Sequence, residues 1–195
     1  MYIYDTISFM KKFFKIVKDS NPTLRQKCEE VKEITPEIID FVNKMHDYLI
    51  ASQDEEISKK YNIREGVGLA APQVGRNIRA CVVYFEEPTE NGDFRIIDHR
   101  LINPKIILES VKEVYLSGGE GCLSVDDQHE GYVYRHNKIQ VKAFNAQTKK
   151  EEVITARGYE AIVLQHEIDH LNGILYYDHI DKKNPFIEKE DAIRL

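Results

Sequence analysis

The stretch Gly158–Gly173, GYEAIVLQHEIDHLNG, decides how the rest of the chain is read. At its centre His166-Glu167-Ile168-Asp169-His170 forms an H-E-x-x-H pattern. Residues four apart on an α-helix stand one above the other, so His166 and His170 can aim two ring nitrogens at one point. Two imidazoles suit a divalent cation of the zinc or iron type. Glu167 lies one step round, where a carboxylate can take a proton from water and later return it. Ala161, Ile162, Leu164, Gln165 and Glu167 tolerate helix well, and no proline interrupts them. Ile162 and Val163 share a face with the histidines, and Gly173 stands where a left-handed residue ends a helix. The competing reading is a solvated helix that merely carries these three side chains, because the pattern also recurs by chance.

Two histidines leave a catalytic metal site one protein ligand short. The zincin solutions are a downstream glutamate or a histidine six residues after the second one. Gly173 fits the second solution, but Tyr176 occupies the histidine's place. Glu188 and Glu190 lie at a zincin-like distance, yet in a highly charged tail without helical apolar patterning. Cys122 is the better candidate, since one thiolate with two imidazoles is a three-ligand set that keeps a position open for water. It sits in Ser117–Ser124, SGGEGCLS, whose three glycines leave the thiol accessible and with little apolar surface beside it. A second cluster of small residues, Gly66–Gln73 (GVGLAAPQ), forms either a tight crossing or the wall of a narrow site. It is not a dinucleotide fingerprint, as no third glycine and helix follow in register.

Composition narrows the classes. The chain has 195 residues, enough for one domain with a substantial core. It is 42% hydrophobic and 31% charged, as an ordinary globular protein is. A net charge of −6 argues against a nucleic-acid-binding surface. No apolar run is long enough to span a bilayer. The lysines of MYIYDTISFMKKFFKIVKDS follow its apolar patch, which makes a poor secretory or transit signal. Cys28, Cys81 and Cys122 form no disulfide framework and favour a reducing compartment. The expectation is a cytoplasmic protein.

Along the chain, residues 1–20 read as an extension, with Met10 an alternative start, and residues 181–195 as a polar tail. Leu24–Lys32 could hold a short helix. Thr35-Pro36 opens a long N-terminal helix, threonine as cap and proline at its first position. Ile38, Phe41, Val42, Met45, Tyr48 and Leu49 then recur at helical spacing to about Lys60. His46, among those apolar positions, reads as structural. Ile78–Phe85, Phe94–Ile97, Leu101-Ile102, Ile106–Leu108, Val111–Leu116, Tyr132–His136, Lys138–Phe144 and Glu151–Thr155 read as short strands. Breaks fall at the Glu86–Asp93 loop and at Asn103-Pro104, and His99 reads as surface-exposed. This order predicts an α+β fold, mainly antiparallel β-sheets around a central helix carrying the H-E-x-x-H residues.

Gly66–Gln73 (GVGLAAPQ), Glu120–Ser124 (EGCLS) and Gln165–Gly173 (QHEIDHLNG) together resemble the three signature motifs of the peptide deformylases, in the right order. The resemblance covers about residues 15–180, and residues 1–9 have no counterpart in it. Val125–His136 and the connection Ser52–Arg64 resemble the second bacterial type, common in Gram-positive bacteria and their wall-less relatives. Carried over, the resemblance implies Cys122, His166 and His170 as metal ligands and Glu167 as general acid and base. It implies Gln73 and the Leu123 backbone N–H as oxyanion donors, and Gly68 as a backbone contact for the formyl group. Val67, Ile162 and Val163 lie beside positions that line the methionine pocket.

The implied activity is removal of the formyl group from N-formylmethionyl nascent peptides, near the ribosome exit, with release of formate. The implied cofactor is one divalent ion, Fe2+ in cells, with Zn2+, Ni2+ or Co2+ as substitutes. Asp169 could pair with Arg135 to support the helix. Another H-E-x-x-H amidase or peptidase is opposed by Tyr176 and by the EGCLS cluster. A metal-binding protein without catalysis would have no need of Glu167.

Overall fold

The computed structural model describes residues 14–89 and 91–195. Met10 and most of the N-terminal extension lie outside the described residues. Among the described residues, eight strands and three α-helices make an α+β fold. The larger sheet has the antiparallel order β1-β2-β3-β6-β7, from β1 (Gly68–Ala70), β2 (Ala80–Pro88), β3 (Phe94–Glu109), β6 (Lys138–Asn145) and β7 (Lys150–Arg157). A smaller sheet joins β4 (Glu113–Tyr115) to β5 (Arg135–His136) and, in parallel, to β8 (Ile193–Arg194).

Alternation along β2 explains why nearly all of it is apolar. Cys81, Val83 and Phe85 face a core shared with α3 (Gly158–Leu171), where Ala161, Leu164, Ile168 and Leu171 pack. Ala80 and Val82 face the other way, onto Val42, Met45 and Leu49 of α1 (Pro36–Gln53). A strand buried on both faces loses the polar half of the usual alternation.

Several elements differ from the sequence reading. The long helix stops at Gln53, because Asp54 takes an extended conformation and its carboxylate accepts from Ile57 N–H at 2.9 Å. Asp54 thereby caps a separate α2 (Glu55–Tyr61). The break read at Asn103-Pro104 is a bulge within one continuous β3. Asn103 adopts φ 53° and its amide holds Val31 through two 2.9 Å bonds. Leu24–Lys32 forms no α-helix. A 3-10 turn at Pro22–Arg25 gives way to an extended segment, and Glu29 bridges Ile78. His99 is not on the surface but bonds Glu160 of α3 at 2.8 Å. The polar tail contains β8, and Tyr134 Oη donates to Ile187 O at 2.6 Å.

The end of α3 is fixed by Gly173. Its φ of +75° lets Ile174 N–H reach Asp169 O at 3.0 Å. A Cβ there would also lie 2.6 Å from the backbone oxygen of Arg25. Gly173→Ala is therefore expected to cost about 1–3 kcal/mol from backbone strain, with the steric overlap adding to it. Thermal denaturation checks this, and an unchanged Tm would refute it.

Candidate metal centre and active-site cleft

Helix α3 is anchored before its functional residues begin. Glu160, buried in its first turn, accepts from Arg95 at 3.0 Å and meets His99 at 2.8 Å, and a carboxylate there suits the helix dipole. One turn on, the Gln165 amide grips the backbone of His136 on β5, accepting from its N–H at 3.0 Å and donating to its C=O at 2.9 Å. These contacts set the rotation of the helix and turn His166, Glu167 and His170 toward the Cys122 loop.

Cys122, His166 and His170 each present a ligand atom, all within 4.8 Å of one another. Cys122 Sγ is 3.3 Å from His170 Nε2. His166 Nδ1 lies 2.8 Å from Glu120 Oε2, which leaves its Nε2 free to ligate. One soft sulfur and two imidazoles, buried together, fit a divalent transition ion. Burial lowers the basicity of both rings, but Cys122 and Glu120 lift His166 well above the ordinary range, while His170 stays well below it.

Glu120 extends the site outward. Arg135 donates to both its oxygens, at 2.8 and 3.0 Å, and a further donor of Arg135 reaches Asp169. His179 Nε2 meets Asp169 at 2.7 Å. The result is a continuous polar chain, His166–Glu120–Arg135–Asp169–His179. The Arg135–Asp169 pair matches the expectation from sequence, while Glu120, inside the EGCLS motif, carries no sequence signal of this position in the chain of contacts. Tyr176, at the metzincin histidine's place, stacks on His166 with ring centroids 6.1 Å apart and 17° between planes.

Glu167 is buried and its Oε2 has no hydrogen-bond partner among the described residues. Burial pushes its carboxyl up to about 7, with the neighbouring His166 opposing the shift. Gly68 on β1 packs directly against it, since a Cβ at that position would lie 2.2 Å from Glu167 Oε1. The Gln73 amide is oriented by Ala70 N–H, which donates to Oε1 at 2.8 Å. Its Nε2 therefore faces Ser124 Oγ at 3.2 Å and Cys122 Sγ at 3.5 Å. The Leu123 N–H donates to no protein acceptor among the described residues.

These groups line one cleft of about 320 Å³, at the small end of ligand sites. One wall is Gly66–Gly68, and the end of α1 holds it: Gln53 Nε2 donates to Gly66 O at 2.9 Å and Ser52 Oγ accepts from Gly66 N–H at 3.2 Å. The opposite wall is Gly121–Leu123, and Tyr159, Ile162 and Val163 of α3 form the floor. Val67 also lines the cleft, so the residues the motifs imply gather there, apart from His170, whose Nε2 sits 3.3 Å from the Sγ of the lining Cys122. Tyr159 joins them without a sequence signal of its own.

A cysteine sulfur and two helical imidazoles beside a buried carboxyl group, on a mainly antiparallel α+β frame, define a metallohydrolase class. The polypeptide deformylase family model matches residues 13–186, and the chain belongs to that family. A peptide deformylase of Macrococcus caseolyticus is 47% identical over 179 residues, 91% of this chain and 95% of that relative. Peptide deformylase 2 of Bacillus cereus is 44% identical over 178 residues, 91% of this chain and 94% of its own length. Such similarity places the chain with the Gram-positive type. A class I type b peptide deformylase from Acinetobacter baumannii, with Met-Ala-Ser bound, superposes with a TM-score of 0.66 at 28% identity, covering 86% of this chain and 98% of that one.

Proposed function

We propose that the chain, acting as one catalytic domain, hydrolyses the formamide at the N-terminus of formylmethionyl peptides as they are made. The observation that carries this reading is the convergence of Cys122, His166 and His170 on one point beside the unpartnered Glu167 carboxylate. Membership of a metalloenzyme family and the Met-Ala-Ser seen in the Acinetobacter neighbour support it. Cys122 Sγ and the two imidazoles would hold the cation, iron(II) in cells. When bound, the cation supplies Lewis acidity that makes water a competent nucleophile near neutral pH.

The rest of the reaction belongs to the chain's own groups. Glu167 takes the proton of the attacking water and delivers it to the departing amine of methionine. Gln73 Nε2–H and the Leu123 N–H donate to the oxygen of the former formyl carbonyl as its negative charge grows. One such donor is typically worth about 10²–10³ in rate. Ile162, Val163 and Val67 receive the methionine side chain. Gly66 and Gly68 leave room for a formyl hydrogen where a larger acyl group would collide with Glu167. Among the described residues no helix is long and apolar enough to cross a membrane. The substrates place the work in the cytoplasm, close to the ribosome exit.

The test is anaerobic formate release from formyl-Met-Ala-Ser by the iron-loaded chain. Formate is expected, and none from fully metallated protein would discard the reading. In air, iron-loaded activity is expected to decay as the iron and the Cys122 thiolate oxidise, while the nickel-loaded form keeps its rate. Air-stable activity of an iron-only preparation would count against iron bound through Cys122. Gly68→Val is expected to lower kcat/KM by about 100-fold or more, because a displacement of roughly 1 Å in a catalytic group is enough for that. Metal content should not change. Normal turnover would show that Gly68 does not set the position of Glu167.

A further inference from the structure

The mouth of the cleft carries a cation that the reaction does not use. Arg64 lies on the segment leading into Gly66–Gly68 and lines the cleft. Its Nη1 donates to Val125 O at 3.0 Å, so the side chain spans from one wall to the segment that continues the other. Nη2 lies 3.9 Å from the position of a Cβ on Gly121, one residue before Cys122. A guanidinium has five N–H donors, and among the described residues Arg64 makes this one hydrogen bond and no ion pair. The residue is exposed, as is Glu65, the one carboxylate beside it in sequence that also lines the cleft. A tethered guanidinium with unused donors matches a carboxylate better than a carbonyl or an amine, because both oxygens can be engaged at once.

The deformylase reading fixes which part of a substrate would meet it. With the formyl carbon beside Cys122 and the methionine side chain on the floor, the peptide has to leave past Gly121. Each extended residue advances about 3.3 Å, so the first two residues after methionine pass the Arg64 guanidinium.

The geometry points to Arg64 as a specificity-determining residue that favours peptides with an aspartate or glutamate in the two positions after formylmethionine. This rests on the proposed deformylase activity. The expected preference for an acidic over an isosteric amide side chain is about three- to tenfold in kcat/KM, between an exposed ion pair and a bidentate charge-assisted one. It should shrink in high salt, which screens charges at the surface.

The experiment measures formate release from formyl-Met-Asp-Ser and formyl-Met-Ala-Asp against their Asn counterparts and a Lys counterpart. Wild type is compared with Arg64→Lys, Arg64→Glu and Glu65→Gln. The readout is the ratio of kcat/KM values within one variant, which a general loss of folded or metallated protein does not move. Arg64→Glu is expected to reverse the ratio toward the Lys peptides, Arg64→Lys to keep the acidic preference in weaker form, and Glu65→Gln to strengthen it. Wild-type turnover with equal ratios, or ratios that Arg64→Glu leaves unchanged, would overturn the role of Arg64 while leaving deformylation standing. No formate from any peptide would instead overturn the deformylase reading.

Discussion

Glu167→Gln is expected to slow formate release by about 10²–10⁴-fold, the range that a positioned acid–base group contributes, while the protein keeps its metal. Glutamine has nearly the same shape, so it preserves the contact with Gly68 that leaves no room for a Cβ. What it loses is the ability to take a proton from water and give it to the amine. The pH profile supplies a second signature. Burial pushes the Glu167 carboxyl up to about 7, against the pull of His166. The base works only when deprotonated, so the wild-type rate should rise with pH along an acid limb. A bound divalent cation favours the carboxylate and moves that limb below 7. The glutamine variant should show no such limb in its residual activity. Undiminished turnover at full metal content would remove Glu167 from the role.

Arg135→Met is expected to be the more damaging change for stability, by about 3–5 kcal/mol in denaturant unfolding, since it leaves a buried carboxylate without its partner. Arg135 is 4% exposed and bridges Glu120 and Asp169. Burial alone would raise the Glu120 pKa, but the Arg135 charge and the bonds from His166 and Arg135 hold it at about 2. Its folded value lies below the ordinary 4.5. The stability it contributes is therefore present above about pH 4.5 and is lost as pH falls through about 2. Without Arg135 that loss moves to higher pH. Metal affinity should fall about 10–100-fold as well, because Glu120 orients His166. Adding Glu120→Gln should recover part of the stability and none of the metal affinity. A single variant as stable as wild type would show that the polar chain behind the metal centre carries no load.

Local chemistry decided what was legible in the sequence. The ligand spacing of His166 and His170 follows from helix periodicity alone, and the Thr35-Pro36 signal opens α1 where local rules place it. Gly173 announced the end of α3 for the same reason. The errors lie where a local signal has two outcomes that only tertiary contacts separate. Asp54 inside a polar run can continue a helix or cap the next one, and here it caps. Asn103-Pro104 can end a strand or bulge it, and the contact with Val31, far away in sequence, selects the bulge. His99 seemed exposed because its partner Glu160 lies on another element. Glu120 is illegible for a related reason: a glutamate between glycines gives no sign that it will face both an arginine and a histidine brought in by β5 and α3.

The segment just before the first 3-10 turn has a consequence for how the protein is made. Val17 N–H donates to Gln73 O at 2.8 Å and Asp19 N–H to Ser124 O at 2.9 Å, while Lys18 Nζ reaches Leu123 O at 3.2 Å. Residues 17–19 thus back both proposed oxyanion donors, across a loop of more than a hundred residues in the second case. Closing such a loop has an entropic cost, and topologies rich in distant contacts reach the native state slowly. A partly folded chain can already have its helix and its hairpins while Gln73 and Leu123 remain unbacked. Competence as a catalyst is therefore expected late in folding, once residues 17–19 reach the Gln73 and Leu123 segments.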